Sequence, residues 1–159
     1  MTSAELMVKN IFLGILKIID FYLVFVYNKN KKLYALYWEG KRDIDIPMND
    51  GFIVKGEDSS RFLEEKLAIL GLNEKEAEEF IIYWLPKLEA NKYNLIRFEI
   101  MEEIEQNMPL TISKTPDTLA RVWMQFKGIE TSIEIPEQHL EYHNRIGFTV
   151  VEWGGTEVK

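Results

Sequence analysis

Residues 147–158 read Gly147-Phe148-Thr149-Val150-Val151-Glu152-Trp153-Gly154-Gly155-Thr156-Glu157-Val158. The β-branched and aromatic run from Phe148 to Trp153 has the composition of a buried strand, and glycines punctuate it on both sides. The glycine-framed Glu152-Trp153 pair suggests a surface feature at the strand end, where a ligand can come close to the backbone. The stretch specifies a strand but matches no motif of defined chemistry.

Working backwards, Ile133–Ile135 is a short strand candidate before Pro136. Leu110–Ser113 and Thr118–Lys127 flank Lys114-Thr115-Pro116-Asp117, a turn signature, and are expected to form a hairpin. Tyr93–Ile100 alternates Leu95, Arg97 and Glu99 with Ile96, Phe98 and Ile100, a strand with one apolar and one wet face. Before it stand two helices. Asp58-Ser59-Ser60 offers caps to Arg61–Leu70, whose stop is Gly71. Asn73, with Glu76 in capping-box position, opens the second, whose apolar face is Ala77, Phe80, Ile81, Trp84 and Leu88. Pro86 either lies within that helix or makes Leu85 its last regular residue. Strands followed by a helix pair and further strands are not the alternation of a doubly wound sheet. The expected class is α+β, a largely antiparallel sheet with a helical hairpin packed on one face.

The N-terminus has two readings. Residues 11–27 are mostly apolar and precede the basic run Asn28-Lys29-Asn30-Lys31-Lys32, as in a signal anchor. Lys17 and Asp20 oppose this, each costing about 2.5–3.5 kcal/mol at the centre of a membrane helix, and the stretch is short for a span. The favoured reading is an amphipathic helix over Ala4–Ile19, then a strand Phe21–Tyr27 turned by Asn28–Lys31 into a second strand, Lys32–Trp38. Residues 1–30 thus hold a helix and the start of the first strand, and residues 21–159 form a single α+β domain. The chain is cytoplasmic on this reading, and extracytoplasmic or membrane-associated if the apolar stretch is an export signal or anchor. Arg42–Phe52, with Pro47, Asn49, Asp50 and Gly51, is a turn-rich surface connection.

The 159 residues suit one globular domain, and the absence of cysteine removes disulfides, thiolate metal sites and a cysteine nucleophile. The net charge of −7 divides unevenly: residues 1–41 hold six Lys/Arg and three Asp/Glu, residues 42–159 hold 13 and 23. An acidic body without a basic, aromatic-laced groove is not a nucleic-acid binder. No cofactor fingerprint is present: no phosphate-cradling glycine loop precedes a helix, and Ser59, Ser60, Ser113 and Ser132 lack a nucleophile-elbow context.

The blocks Leu36-Tyr37-Trp38-Glu39-Gly40, Gly71-Leu72-Asn73-Glu74-Lys75-Glu76-Ala77, Tyr83-Trp84-Leu85-Pro86-Lys87-Leu88-Glu89, Tyr93-Asn94-Leu95-Ile96 and Gly147–Gly155 together resemble a family of uncharacterised microbial domain proteins. The likeness covers residues 33–158 and implies no catalytic residue. It implies an extracytoplasmic setting for members with export signals, a pattern from which residues 1–30 depart.

Three constellations are candidates for chemistry. Trp38-Glu39-Gly40 and Glu152-Trp153-Gly154 each set a carboxylate beside an indole at a strand end. Were the two ends adjacent, Trp38 and Trp153 would stack on a sugar or other planar group, while Glu39 and Glu152 bind hydroxyls or act as acid and base. The alternative is that both indoles fill the core. Arg97, Glu99, Arg121, Trp123 and Gln125 share a polar strand face, suited to a protein partner or to an ion-pair ladder. His139 and His143 stand four apart, a metal-binding spacing on a helix, but His-Leu-Glu-Tyr-His is not the zincin order, and the polar segment after Pro136 is expected to loop over the surface. The expected function is a non-catalytic binding module for a protein or surface glycan. Alternatives are a glycan hydrolase using Glu39 and Glu152, and an acidic immunity-type partner of a basic protein.

Overall fold

The computed structural model describes residues 2–8, 14–18, 21–24, 35–40, 47–112 and 114–158. Nine strands are described: β1 (Thr2–Val8), β2 (Gly14–Ile18), β3 (Phe21–Val24), β4 (Leu36–Gly40), β5 (Phe52–Lys55), β6 (Tyr93–Phe98), β7 (Leu110–Ile112), β8 (Thr118–Ile129) and β9 (Thr149–Glu157). Three α-helices accompany them: α1 (Ser59–Ile69), α2 (Glu74–Glu89) and α3 (Met101–Asn107). A six-stranded sheet runs β4-β1-β9-β8-β6-β5, and a three-stranded one runs β3-β2-β7. Every neighbouring pair is antiparallel except β8 and β9, which are parallel. This is the expected α+β class, with the α1–α2 hairpin on one face of the larger sheet.

The hairpin follows from its punctuation. Asn73 accepts a hydrogen bond from the Glu76 amide while the Glu76 carboxylate accepts from the Asn73 amide, so two of the helix's orphan donors are satisfied. Gly71, at φ +87°, supplies the left-handed residue between the helices. Helix α2 continues through Pro86 to Glu89. The hydrogen bond that proline removes belongs to the carbonyl of Ile82, an exposed residue.

Alternation along the strands builds the core. Leu63 and Leu67 of α1 and Phe80, Trp84 and Leu88 of α2 pack on Ile96, Phe98, Val122, Met124, Phe126, Val151 and Trp153. Full burial of each such side chain stabilises the fold by about 1.5–3 kcal/mol. Gly155 has a packing reason to be glycine: a Cβ there would lie 2.6 Å from the Met124 carbonyl and 2.9 Å from the Trp84 ring.

Several local expectations are corrected. Residues 2–8 and 14–18 are strands where a helix over 4–19 is expected, because an apolar run without caps is read equally well by a sheet. Strands β3 and β4 belong to different sheets and do not pair with each other. The turn expected at Asn28–Lys31 lies outside the described residues, as do 25–27, 32–34, the opening of the 42–52 connection and Ser113. Strands β7 and β8 form no hairpin: β7 joins β2, while β8 lies between β6 and β9. Ile133–Ile135 is irregular rather than a strand. Helix α3, absent from the sequence reading, has the Glu103 carboxylate accepting from the Ile100 amide at its start. Among the described residues no helix is long and apolar enough to cross a membrane.

Candidate functional site

The Glu-Trp pair of β9 is divided between the two faces of the sheet. Trp153 points to the helices, 3% exposed, with its ring 5.3 Å from that of Phe80 in an edge arrangement. Glu152 points the other way, is fully buried, and accepts a hydrogen bond from Nε of Arg121. Strand β4 does not adjoin β9, because β1 lies between them: Glu39 pairs with Ser3 and Ser3 with Gly155, whereas Glu152 pairs with Leu6 and Leu6 with Leu36. Two strand spacings and three residues therefore separate Glu39 from Glu152, about 14 Å between Cα atoms. Trp38 pairs through Ala4 with Gly154 rather than Trp153. The two motifs occupy non-adjacent strands, and the offset is inherent in the antiparallel registers on either side of β1.

Arg97, Glu99, Arg121, Trp123 and Gln125 do share one face, with Glu152, but that face is internal. Their exposures run from 0% to 8%, which corrects the expectation of a wet partner surface. The charges are buried because they are paired. Arg97 donates to Asp50 at 2.9 Å and to both carboxylate oxygens of Glu103 at 2.8 and 2.9 Å. Arg121 donates to Glu105 at 2.6 Å as well as to Glu152. Gln125 donates to Glu99 at 2.7 Å. Glu103 and Glu105 both lie on α3, so two arginines of the sheet hold that helix in place. Burial alone would lower the Arg97 pKa and raise that of Glu103; their hydrogen bonds and mutual attraction prevail, so Arg97 is raised and Glu103 lowered.

The long connection between the parallel strands is of another kind. Residues 130–148 contain no helix or strand, yet from Pro136 onward they are fastened to the rest of the fold. The Gly51 amide donates to the Pro136 carbonyl and the Gln138 amide to that of Gly51. The buried Gln138 side chain closes a two-way bridge to the Phe98 backbone, its Oε1 accepting at 2.9 Å and its Nε2 donating at 2.6 Å. The His143 amide donates to the Ile69 carbonyl at the end of α1. Arg145 donates to Glu76 and to the Gly71 carbonyl. Thr118 Oγ1 accepts from the Ile146 amide and donates to its carbonyl, and Asp117 accepts from the Phe148 amide.

Irregular connections of this length are uncommon in compact domains unless they are functional or disordered. This strap carries Ile133, Tyr142 and Ile146, three of the seven large apolar side chains exposed among the described residues, at 46%, 74% and 63%. His139 and His143 are exposed on it without a helix to align them. No group of three or more His, Asp or Glu that could hold a metal ion occurs among the described residues. The sequence suggests a surface loop for the histidine segment but carries no local signal for its anchors, whose partners lie up to 87 residues away. The available signal was a long stretch between two strand patterns with no periodicity of its own. No protein-family model, no curated protein and no solved structure matches this chain, which leaves its own geometry as the ground for a functional reading.

Proposed function

We propose that this chain is a non-catalytic interaction module that recognises a protein partner through the strap of residues 130–148. The observation that carries the reading is a fastened, irregular segment presenting Tyr142 and Ile146 outward. A rigid loop holding apolar side chains in water loses little entropy when a partner covers them. The hydrolytic alternative has less support, because Glu152 is fully buried against Arg121 and Glu39 stands two strands away.

The test replaces Tyr142, Ile146 or, as a control on α1, Glu64 with a photo-crosslinking residue in cells of the protein's source. A discrete crosslinked protein from positions 142 and 146, and none from 64, is the expected result. No crosslinked protein from either strap position would remove the reading.

A further inference from the structure

We infer that the strap binds a cationic protein segment that also brings an apolar side chain. This deepens, and rests on, the interaction reading above. The strap's sequence from 130 to 147 holds four glutamates, Glu130, Glu134, Glu137 and Glu141, against a single Arg145 and no lysine. Arg145 is directed inward, to Glu76 and the Gly71 carbonyl. The four glutamates are exposed, and none of them has an ion pair among the described residues. The outward charge of the strap is therefore of one sign and uncompensated. Five other acids, Asp50, Glu76, Glu103, Glu105 and Glu152, each have an arginine.

Apolar and acidic positions interleave along this segment: Ile133 beside Glu134, and Tyr142 beside Glu141. A polar or anionic partner would desolvate these carboxylates without compensation. A basic segment pairs with them at the rim while its apolar residue covers Tyr142 or Ile146. Rim pairs steer encounter and are each worth roughly two- to fivefold in affinity. The aromatic anchor is worth more, at least about tenfold on truncation.

The test measures binding of the whole chain, by fluorescence anisotropy, to three labelled peptides of equal length: lysine-rich with a central phenylalanine, the same with alanine, and the same with glutamates for lysines. The first should bind and the other two at least about tenfold more weakly. Binding should also fall at least about tenfold in Glu134→Lys/Glu137→Lys/Glu141→Lys and in Tyr142→Ala. In Glu64→Lys/Glu78→Lys/Glu89→Lys, which makes the same change of net charge on the helices, it should stay within about twofold. Equal weakening by the two triple variants, equal binding of the acidic peptide, or no binding of any peptide overturns the inference. The interaction reading fails separately: a partner crosslinked from position 142 whose complex ignores salt and the strap charges refutes the cationic partner alone, whereas no crosslink refutes both.

Discussion

Across β6, β8 and β9 the two faces of the larger sheet are both buried and are held by different physics. On the helix side Trp153, Phe126 and Met124 meet Phe80 and Trp84 in an apolar core. On the other side Arg97, Arg121, Gln125 and Glu152 are closed in by mutual hydrogen bonds and by carboxylates of α3. Adjacent residues of one strand, Glu152 and Trp153, therefore serve opposite layers. The contrast teaches that alternation of charge and apolarity reports two faces without reporting which of them meets water.

The largest effects should come from attacking each face at its centre. Trp153→Ala removes a buried indole and should cost about 3–5 kcal/mol in denaturant unfolding. Little change would mean that the indole is not part of the core. On the polar side Arg121→Met takes the cation from buried Glu152 and should cost about 3 kcal/mol or more. Arg121→Met/Glu152→Met should recover most of that loss, since an apolar pair of similar volume replaces the ion pair. A double variant as damaged as the single would contradict the paired-charge account.

Gln138→Ala, which leaves the Phe98 amide and carbonyl without their side-chain partner, should lower stability by about 1–3 kcal/mol. The loss should appear as strap loosening by limited proteolysis.

A smaller effect depends on pH. The folded-state pKa of Glu103 lies below its ordinary value, so its stabilisation is full above the unfolded-state pKa of about 4.3. It is lost as pH falls through the folded-state value. Glu103→Gln should therefore be less stable than the parent at neutral pH, with the difference in unfolding midpoint shrinking below about pH 4. A difference constant down to pH 2 would exclude a titrating contribution from this carboxylate. Smallest of all, Tyr142→Ala should move stability by no more than about 0.5 kcal/mol, because the ring contacts water rather than core. A large loss there would return Tyr142 to the architecture.

Elements with local punctuation were legible in the sequence. Asn73, Glu76 and Gly71 announce the helical hairpin, and the alternation over residues 93–98 announces β6. Pairings were not, because which strand lies beside β9 is decided by contacts remote in sequence: β1 on one side and β8 on the other. Helix α3 escaped notice because Ile100 stands where a Ser, Thr, Asp or Asn cap is expected, so only the Glu103 half of the signal is present. In the sequence, the glycines after Glu152-Trp153 suggest room for a ligand at a surface strand end. Gly155 instead makes room for Trp84. The strap was visible as a loop, but its rigidity rests on Gln138 reaching Phe98 and Arg145 reaching Glu76, which no local pattern encodes.

The most direct test of the account is amide hydrogen exchange of the intact chain, read residue by residue over 130–148. A fastened strap predicts slowed exchange at Gln138, His143 and Ile146, whose amides donate to Gly51, Ile69 and Thr118. Exchange at all three at the rate of an unstructured peptide would show a loose loop, and the claim that this chain presents a preformed recognition surface would fall with it.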